Sequence, residues 1–231
     1  MREQKGFGAL KGGYHFDLEG LTKSTPFVFK TSTGAGSTGV ALVESEKKLA
    51  ALKRQYFRVS YRRMAINFVR RLRLTREQYS IYEYRNKKFK TFNWQDFISG
   101  LDCDYKILVF GNRFYSLRRQ VRKNDFRASG SGIFSHETPP LSALDFARSI
   151  FLKLDVPYLS LDIAISSDSC KLIEYQVLNF GPLTLTASPG HHYWVDNKWH
   201  YMEGKADLEE NFSTALALFL RERHAVSKNS L

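Results

Sequence analysis

Two carboxylates stand in apolar surroundings in the second half of the chain. Asp162 lies in Leu161-Asp162-Ile163-Ala164-Ile165, and Glu174 in Leu172-Ile173-Glu174-Tyr175-Gln176. An ionised carboxylate buried without a partner is costly, so each needs a cation. On adjacent antiparallel strands the two acids can face one another, and a divalent ion between them makes the like charges tolerable. The two-residue step from Glu174 puts Gln176 on the same strand face, where its amide oxygen is a third hard donor. Structural neutralisation of both acids by arginines gives the same pattern and stays open.

A second constellation suits an anionic ligand. The apolar run Pro26-Phe27-Val28-Phe29-Lys30 leads into Thr31-Ser32-Thr33-Gly34-Ala35-Gly36-Ser37-Thr38-Gly39. Glycines let backbone N–H groups turn toward phosphate oxygens, and small hydroxyls add donors. No Gly-Lys-Ser/Thr closes the loop, so it is not a P-loop. The next element reads as a strand, so it is not a dinucleotide fingerprint either. A flexible hairpin loop is the plain alternative. Third, Arg118, Arg119, Arg122, Lys123 and Arg127 crowd one short stretch. Arginines beside a metal-binding acidic pair can neutralise a transferring phosphoryl group; the same cluster would serve RNA. His136 and the pair His191-His192 are candidates for the rim of a cleft, with a structural role as the alternative.

These residues need elements to position them. Residues 1–25, glycine-rich and with little periodicity, read as an irregular entry segment; the pattern then predicts a strand over 26–30, the glycine loop, and a strand over 40–43. Ser45 is a good N-cap for a helix. Tyr61, Met64, Ala65, Phe68, Val69 and Leu72 recur at helical spacing, which predicts an amphipathic helix whose apolar stripe is ordinary core and whose arginines face away from it. Strands are expected over 92–98, 106–110 and 113–117, the last two joined by a tight turn at Gly111-Asn112. A polar loop over 124–132, a helix over 141–154 after Pro139-Pro140, a hairpin of 161–165 with 171–177, and a terminal helix from Leu208 complete the reading.

Composition narrows the class. The chain has 231 residues, 43% of them hydrophobic, and 18 Phe, 12 Tyr and 3 Trp. That suits one sizeable core or two lobes, and it excludes a disordered chain. Two cysteines, Cys103 and Cys170, form no disulfide framework and no zinc motif. The apolar runs fall far short of a membrane span, and the polar start resembles no secretory signal, so a cytoplasmic location is expected. The net charge is +12, and between Lys53 and Lys90 thirteen Lys or Arg oppose two acids, a surplus of eleven. Such a patch makes a directed field, suited to an acidic polymer or peptide, nucleic acid, a membrane surface or an anionic substrate. A solvated helix face is the alternative.

Taken in order from Pro26 to Pro182, these segments resemble the ATP-grasp superfamily, particularly its glutathione-synthetase and ribosomal-protein-glutamate-ligase-like members. The resemblance implies an α+β fold in which two lobes grip the nucleotide between antiparallel sheets. It implies a segment over 1–25 ahead of them, an N-terminal grasp lobe over 26–98 with the basic helix, and a C-terminal lobe over 99–231 with the carboxylates. It assigns Lys30, Gly34, Gly36, Ser37, Thr38 and Gly39 to the ATP phosphates. Gln95, Asp96, Phe97 and Ile98 become the hinge strand whose backbone meets adenine. Asp104 falls near the ribose, Lys106 near phosphate or substrate, and Arg119 and Arg127 at the transferring phosphoryl group. Asp162, Glu174 and Gln176 would hold Mg²⁺ or Mn²⁺. The family has Asn where Gln176 stands; Asn179 lies further along the segment. The domain that precedes the grasp in this family has no counterpart ahead of Pro26. That leads to an expectation of a minimal member, of a fragment, or of a chain completed by a partner lobe or a second copy.

The implied activity is carboxylate–amine ligation through an acyl phosphate, with ATP, a carboxylate and an amine as ligands. An acidic peptide or polymer is the expected partner of the basic helix. Kinase-type transfer belongs to the same class of site. The rival readings are a nucleic-acid-binding module built on residues 53–90, with strongly salt-dependent affinity, and an ATP-binding scaffold without turnover.

Overall fold

The computed structural model describes residues 10–15, 21, 23–32, 39–57, 61–78, 91–166 and 169–228. They form two compact units that divide between Phe97 and Ile98, each built on its own antiparallel sheet with helices, an α+β fold.

The first unit holds a four-stranded sheet of β1 (Gly12–His15), β2 (Phe27–Thr31), β3 (Val40–Val43) and β4 (Phe92–Asp96), in the order β1-β4-β2-β3. Strand alternation sends Phe27 and Phe29 to one face, where they close a core with Val43 and Phe92. Helix α1 (Glu46–Phe57) covers that core with Leu49 and Leu52. Its first turn is capped as expected, because the Lys48 N–H donates to Ser45 Oγ at 3.3 Å. Lys30 falls on the opposite face with Asn93 and Gln95, since Lys30 pairs with Asn93 and Val28 with Gln95.

Two expectations fail in this unit. Residues 12–15 are not irregular: β1 pairs with β4 in the register Gly12↔Gln95 to His15↔Phe92. Gly13 makes this possible, because a Cβ there would lie 2.4 Å from Trp94 Nε1. Glycines conceal a strand from propensity arguments. The second failure is helix α2 (Tyr61–Arg73): the helix forms, but Tyr61, Met64, Phe68, Val69 and Leu72 are exposed while Asn67 is buried. Periodicity tells which residues share a helix face; it does not supply a core for that face to meet.

The second unit carries a seven-stranded sheet. Its path is β11 (Lys198–Glu203), β10 (Gly190–Val195), β6 (Arg113–Gln120), β5 (Cys103–Phe110), β8 (Tyr158–Ser166) and β9 (Ser169–Gln176), with β7 (Phe134–Ser135) paired to β6. Strands β5 (Cys103–Phe110) and β6 (Arg113–Gln120) turn at Gly111-Asn112, as the sequence indicates, with Gly111 at φ 58°. Strands β8 (Tyr158–Ser166) and β9 (Ser169–Gln176) form the expected hairpin. The β10 (Gly190–Val195) and β11 (Lys198–Glu203) hairpin was not foreseen. Its turn residues Asp196 and Asn197 both have positive φ, 49° and 59°, the left-handed requirement of a tight two-residue hairpin turn.

The sheet has two differently dressed faces. Tyr105, Ile107, Val109, Phe114, Leu159, Leu161 and Ile163 point to one and pack against helix α3 (Leu141–Leu154) through Ala143, Leu144, Ala147 and Ile150. Those four positions make one helical stripe. On the other face, Leu108, Phe110 and Tyr115 meet the short helix α4 (Leu183–Thr186) and the terminal helix α5 (Leu208–Lys228) through Leu185, Phe212 and Ala215. Aromatic rings dominate there: Phe212 lies 4.9 Å from Phe110 and 4.8 Å from Tyr158. The same face, further along β5, β6 and β8, carries charge instead of rings.

Candidate active site

Register assembles the charged cluster. In β5, Asp104 pairs with Arg119 of β6 and with Ala164 of β8, while Lys106 pairs with Asp162 of β8. Glu174 of β9 stands opposite Asp162, and Gln176 opposite Ser160. Directly opposed residues project to the same side, so Asp104, Lys106, Arg119, Asp162, Glu174 and Gln176 share one face of one sheet. The last pairing depends on a bulge. The ladder runs Asp162↔Glu174 and then Ile163↔Leu172, which leaves Ile173 as the extra residue. Without it, Leu172 and Glu174 would point the same way. With it, Leu172 enters the core beside Ile163 and Glu174 turns to the face of Asp162, as bulges re-aim side chains.

Arg119 is the centre of the cluster. Its Nε donates to Asp104 Oδ1 at 2.7 Å and its Nη2 to Asp104 Oδ2 at 2.8 Å. The same Nη2 lies 2.8 Å from Asp162 Oδ2. Lys106 Nζ donates to Asp162 Oδ1 at 3.0 Å. Two carboxylates and two cations therefore neutralise one another. Burial pushes the Asp104 carboxyl up to about 6, against the opposing pull of Arg119. Burial also opposes ionisation of Asp162, but Arg119 and Lys106 outweigh it and hold its pKa below the ordinary value. Arg119 stays protonated, since Asp162 and Asp104 outweigh its own burial.

Glu174 and Gln176 form the outer part. Gln176 Nε2 donates to Glu174 Oε1 at 2.8 Å, which leaves Glu174 Oε2 and the Gln176 amide oxygen outside that bond. These are hard oxygen donors of the kind Mg²⁺ takes. Both oxygens of Asp162 are engaged by cations, so its carboxylate can join a metal only by exchanging one of them. Among the described residues no group of three His, Cys, Asp or Glu is arranged to hold a metal ion; the donor set here is two acids and an amide.

Other sequence-selected residues fall elsewhere. Arg127 lies on the 124–132 loop, clamped to Asp125 by its Nε and by its Nη2 at 2.7 Å. That pairing lowers the Asp125 carboxyl to about 2. Gln95 and Asp96 sit in β4, which has a partner strand on each side. Their backbone groups serve the sheet, which argues against the expected backbone reading of adenine at these two positions. Asp96 also accepts from Lys23 Nζ at 2.5 Å and points to the core side. Phe97 and Ile98 follow the strand's end. Gly39 closes the β2–β3 turn at φ 81°, where a Cβ would meet Thr31 Oγ1 at 2.1 Å. Gly34, Gly36, Ser37 and Thr38 lie outside the described residues.

Asp104 does not present itself to a ribose, because it is 4% exposed with both oxygens on Arg119. His136 is exposed beyond β7. His192 is buried on the α3 side, 4.9 Å from the Tyr201 ring. His191 lies on the other face, 5.3 Å from Tyr115. Burial lowers the pKa of both imidazoles, and Arg113 adds to the effect at His191.

No family model matches the sequence, and no curated protein matches it either. Solved structures do match. D-alanine–D-alanine ligase from Bacillus anthracis superposes with a TM-score of 0.51 at 15% identity, over 97% of this chain and 65% of its own. A RiPP-associated ATP-grasp ligase from Chryseobacterium gregarium, solved with ADP and a leader and core peptide, gives a TM-score of 0.51 at 15% identity. That match covers 79% of this chain and 50% of its own. The chain thus spans between one half and two thirds of the length of these structures.

Proposed function

We propose that this chain, which has the ATP-grasp fold, is an ATP-dependent carboxylate–amine ligase working through an acyl phosphate. One observation carries the reading: Asp162, Glu174 and Gln176 are brought by register and a bulge onto the same sheet face as Lys106 and Arg119. Oxygen donors beside an exchangeable ammonium, on a face that Arg119 holds in place, suit a triphosphate and its metal.

Each residue has a role in this reading. Glu174 and Gln176 would hold a divalent cation, which would screen phosphate charge. Arg119 is a positioning residue: its guanidinium is committed to Asp104 and Asp162, so it fixes the acidic face and does not meet the phosphoryl group. Lys106 is the exchangeable cation. A phosphate or substrate carboxylate would give its ammonium an alternative to Asp162, and the Asp162 oxygen so freed would be available to help hold a divalent cation. Lys30 on β2 and the following loop contribute to phosphate binding, and Arg127 supplies charge from the 124–132 loop. The work of these groups is positioning and charge neutralisation. The carboxylate and the amine follow from the reaction class alone.

A thermal melt with and without Mg-ATP tests the nucleotide site. Ligand at a hundred times its dissociation constant adds about 2.7 kcal/mol, so wild type is expected to gain stability and Lys30→Ala and Glu174→Ala to gain none. Hydroxylamine then tests the chemistry, because an acyl phosphate is trapped as a hydroxamate. The full engagement of Asp162 by Lys106 and Arg119 favours a second reading, a scaffold that binds ATP without turnover. A melting shift without ADP release or hydroxamate, across a panel of amino acids and acidic peptides, would select it.

A further inference from the structure

Helix α2 presents its apolar side outward. Tyr61, Met64, Phe68 and Leu72 follow one another at spacings of three and four residues, so they form one stripe, widened by Ala65 and Val69. Tyr61 is 86% exposed, Phe68 66% and Leu72 73%. Asn67, on the opposite side, is only 7% exposed. The helix therefore buries a polar side chain and leaves its hydrophobic stripe in solvent. Arg62 and Arg71 border the stripe, each seven residues from one of its members, Val69 and Met64, and both are exposed. The helix carries five arginines and no acid.

A contiguous exposed apolar patch marks an interaction surface, and the charge around it selects the partner. Nucleic acid would engage the arginines and leave Met64, Phe68 and Leu72 idle. An amphipathic peptide needs a groove, whereas this stripe is the ridge of one helix. A lipid surface with anionic head groups answers both features. The apolar stripe enters the acyl boundary, and arginines on either flank meet the phosphates. We propose that α2 lies flat on an anionic bilayer surface and holds the chain there as a peripheral protein. No helix among the described residues is long and apolar enough to cross a membrane; an amphipathic helix lying in the head-group region makes an interfacial, reversible contact. This inference is independent of the ligase reading.

The full chain should be sedimented with vesicles of phosphatidylcholine alone and of phosphatidylcholine mixed with phosphatidylglycerol. Binding is expected only to the anionic vesicles and should weaken with salt. The double variant Phe68→Ser/Leu72→Ser should lower partitioning at least about tenfold. The variant Arg62→Gln/Arg71→Gln should do the same, at about tenfold. All four side chains are exposed, so the unliganded melt should not change. A Tyr61→Trp variant should gain a blue-shifted emission component with anionic vesicles that wild type lacks. Failure to sediment with anionic vesicles would overturn the proposal. So would binding that Phe68→Ser/Leu72→Ser leaves intact. Salt-sensitive binding to single-stranded RNA, with vesicles ignored, would reassign the helix to nucleic acid.

Discussion

Arg119 grips Asp104 from the directly opposed position in the β5–β6 ladder, with two parallel hydrogen bonds of 2.7 and 2.8 Å. The same guanidinium reaches Asp162 on the far side of β5. One cation thus ties three strands together through their side chains, and it does so beneath the proposed ATP site. Its value lies less in the pair itself than in what its removal would leave behind.

Arg119→Ala should therefore destabilise strongly. It strands Asp104 in the buried face and leaves Lys106 as the remaining cation for Asp162. Breaking such a pair costs about 3–5 kcal/mol. Urea denaturation should show the midpoint falling with an unchanged slope. Arg119→Lys, which keeps the charge but loses the two-pronged geometry, should fall between the two.

Asp104 should give stability a particular pH dependence. Its carboxyl is raised from 3.8 to about 6 in the fold. Between those values the folded chain keeps a proton that the unfolded chain has released. The stabilising contribution is complete below about pH 4 and is lost as pH rises through about 6. The expected decline is on the order of 1–3 kcal/mol. Asp104→Asn should flatten that part of the profile, measured as urea midpoints from pH 4 to pH 7.

Glu174 is the residue at which the proposed ligand binding should separate from folding. It is exposed on its strand and accepts from Gln176. Glu174→Gln should leave the unliganded stability within about 0.5 kcal/mol and abolish the stabilisation by Mg-ATP. A wild-type-sized shift in this variant would remove Glu174 from the metal site.

Gly13 tests the unforeseen edge strand. A Cβ would come within 2.4 Å of Trp94 Nε1 and 2.9 Å of its Cε2. Gly13→Ala should cost about 1–3 kcal/mol, the range for overpacking. Loss of amide protection across β1 and β4, read by hydrogen exchange, would place the damage there.

Part of the charged sheet face was legible before any coordinates. Acids inside apolar strands singled out Asp162, which is buried against cations, and Glu174, which is exposed instead, and the two-residue step tied Gln176 to Glu174. Helix α3 followed from its proline start, and the β5–β6 turn from Gly111-Asn112. Strand β1 was hidden because glycines carry no propensity signal. The β10–β11 hairpin was hidden behind a run of histidines and aromatics whose turn, Asp196-Asn197, lacks a glycine. The outward stripe of α2 was misread because amphipathic spacing is the same whether a core or open solvent lies beyond it.

By itself, then, the sequence determined the alternation of its strands, the spacing of its helices and the identity of its charged groups, because these are local properties of the chain. Which charges meet was decided only by the tertiary structure. Lys106 and Asp162 lie on β5 and β8, joined by a long excursion through β6 and α3, and become neighbours through sheet register. A single extra residue at Ile173 turns Glu174 toward Asp162. Register and bulges are settled by how the whole sheet packs on α3 and α5, so no short stretch of sequence contains them.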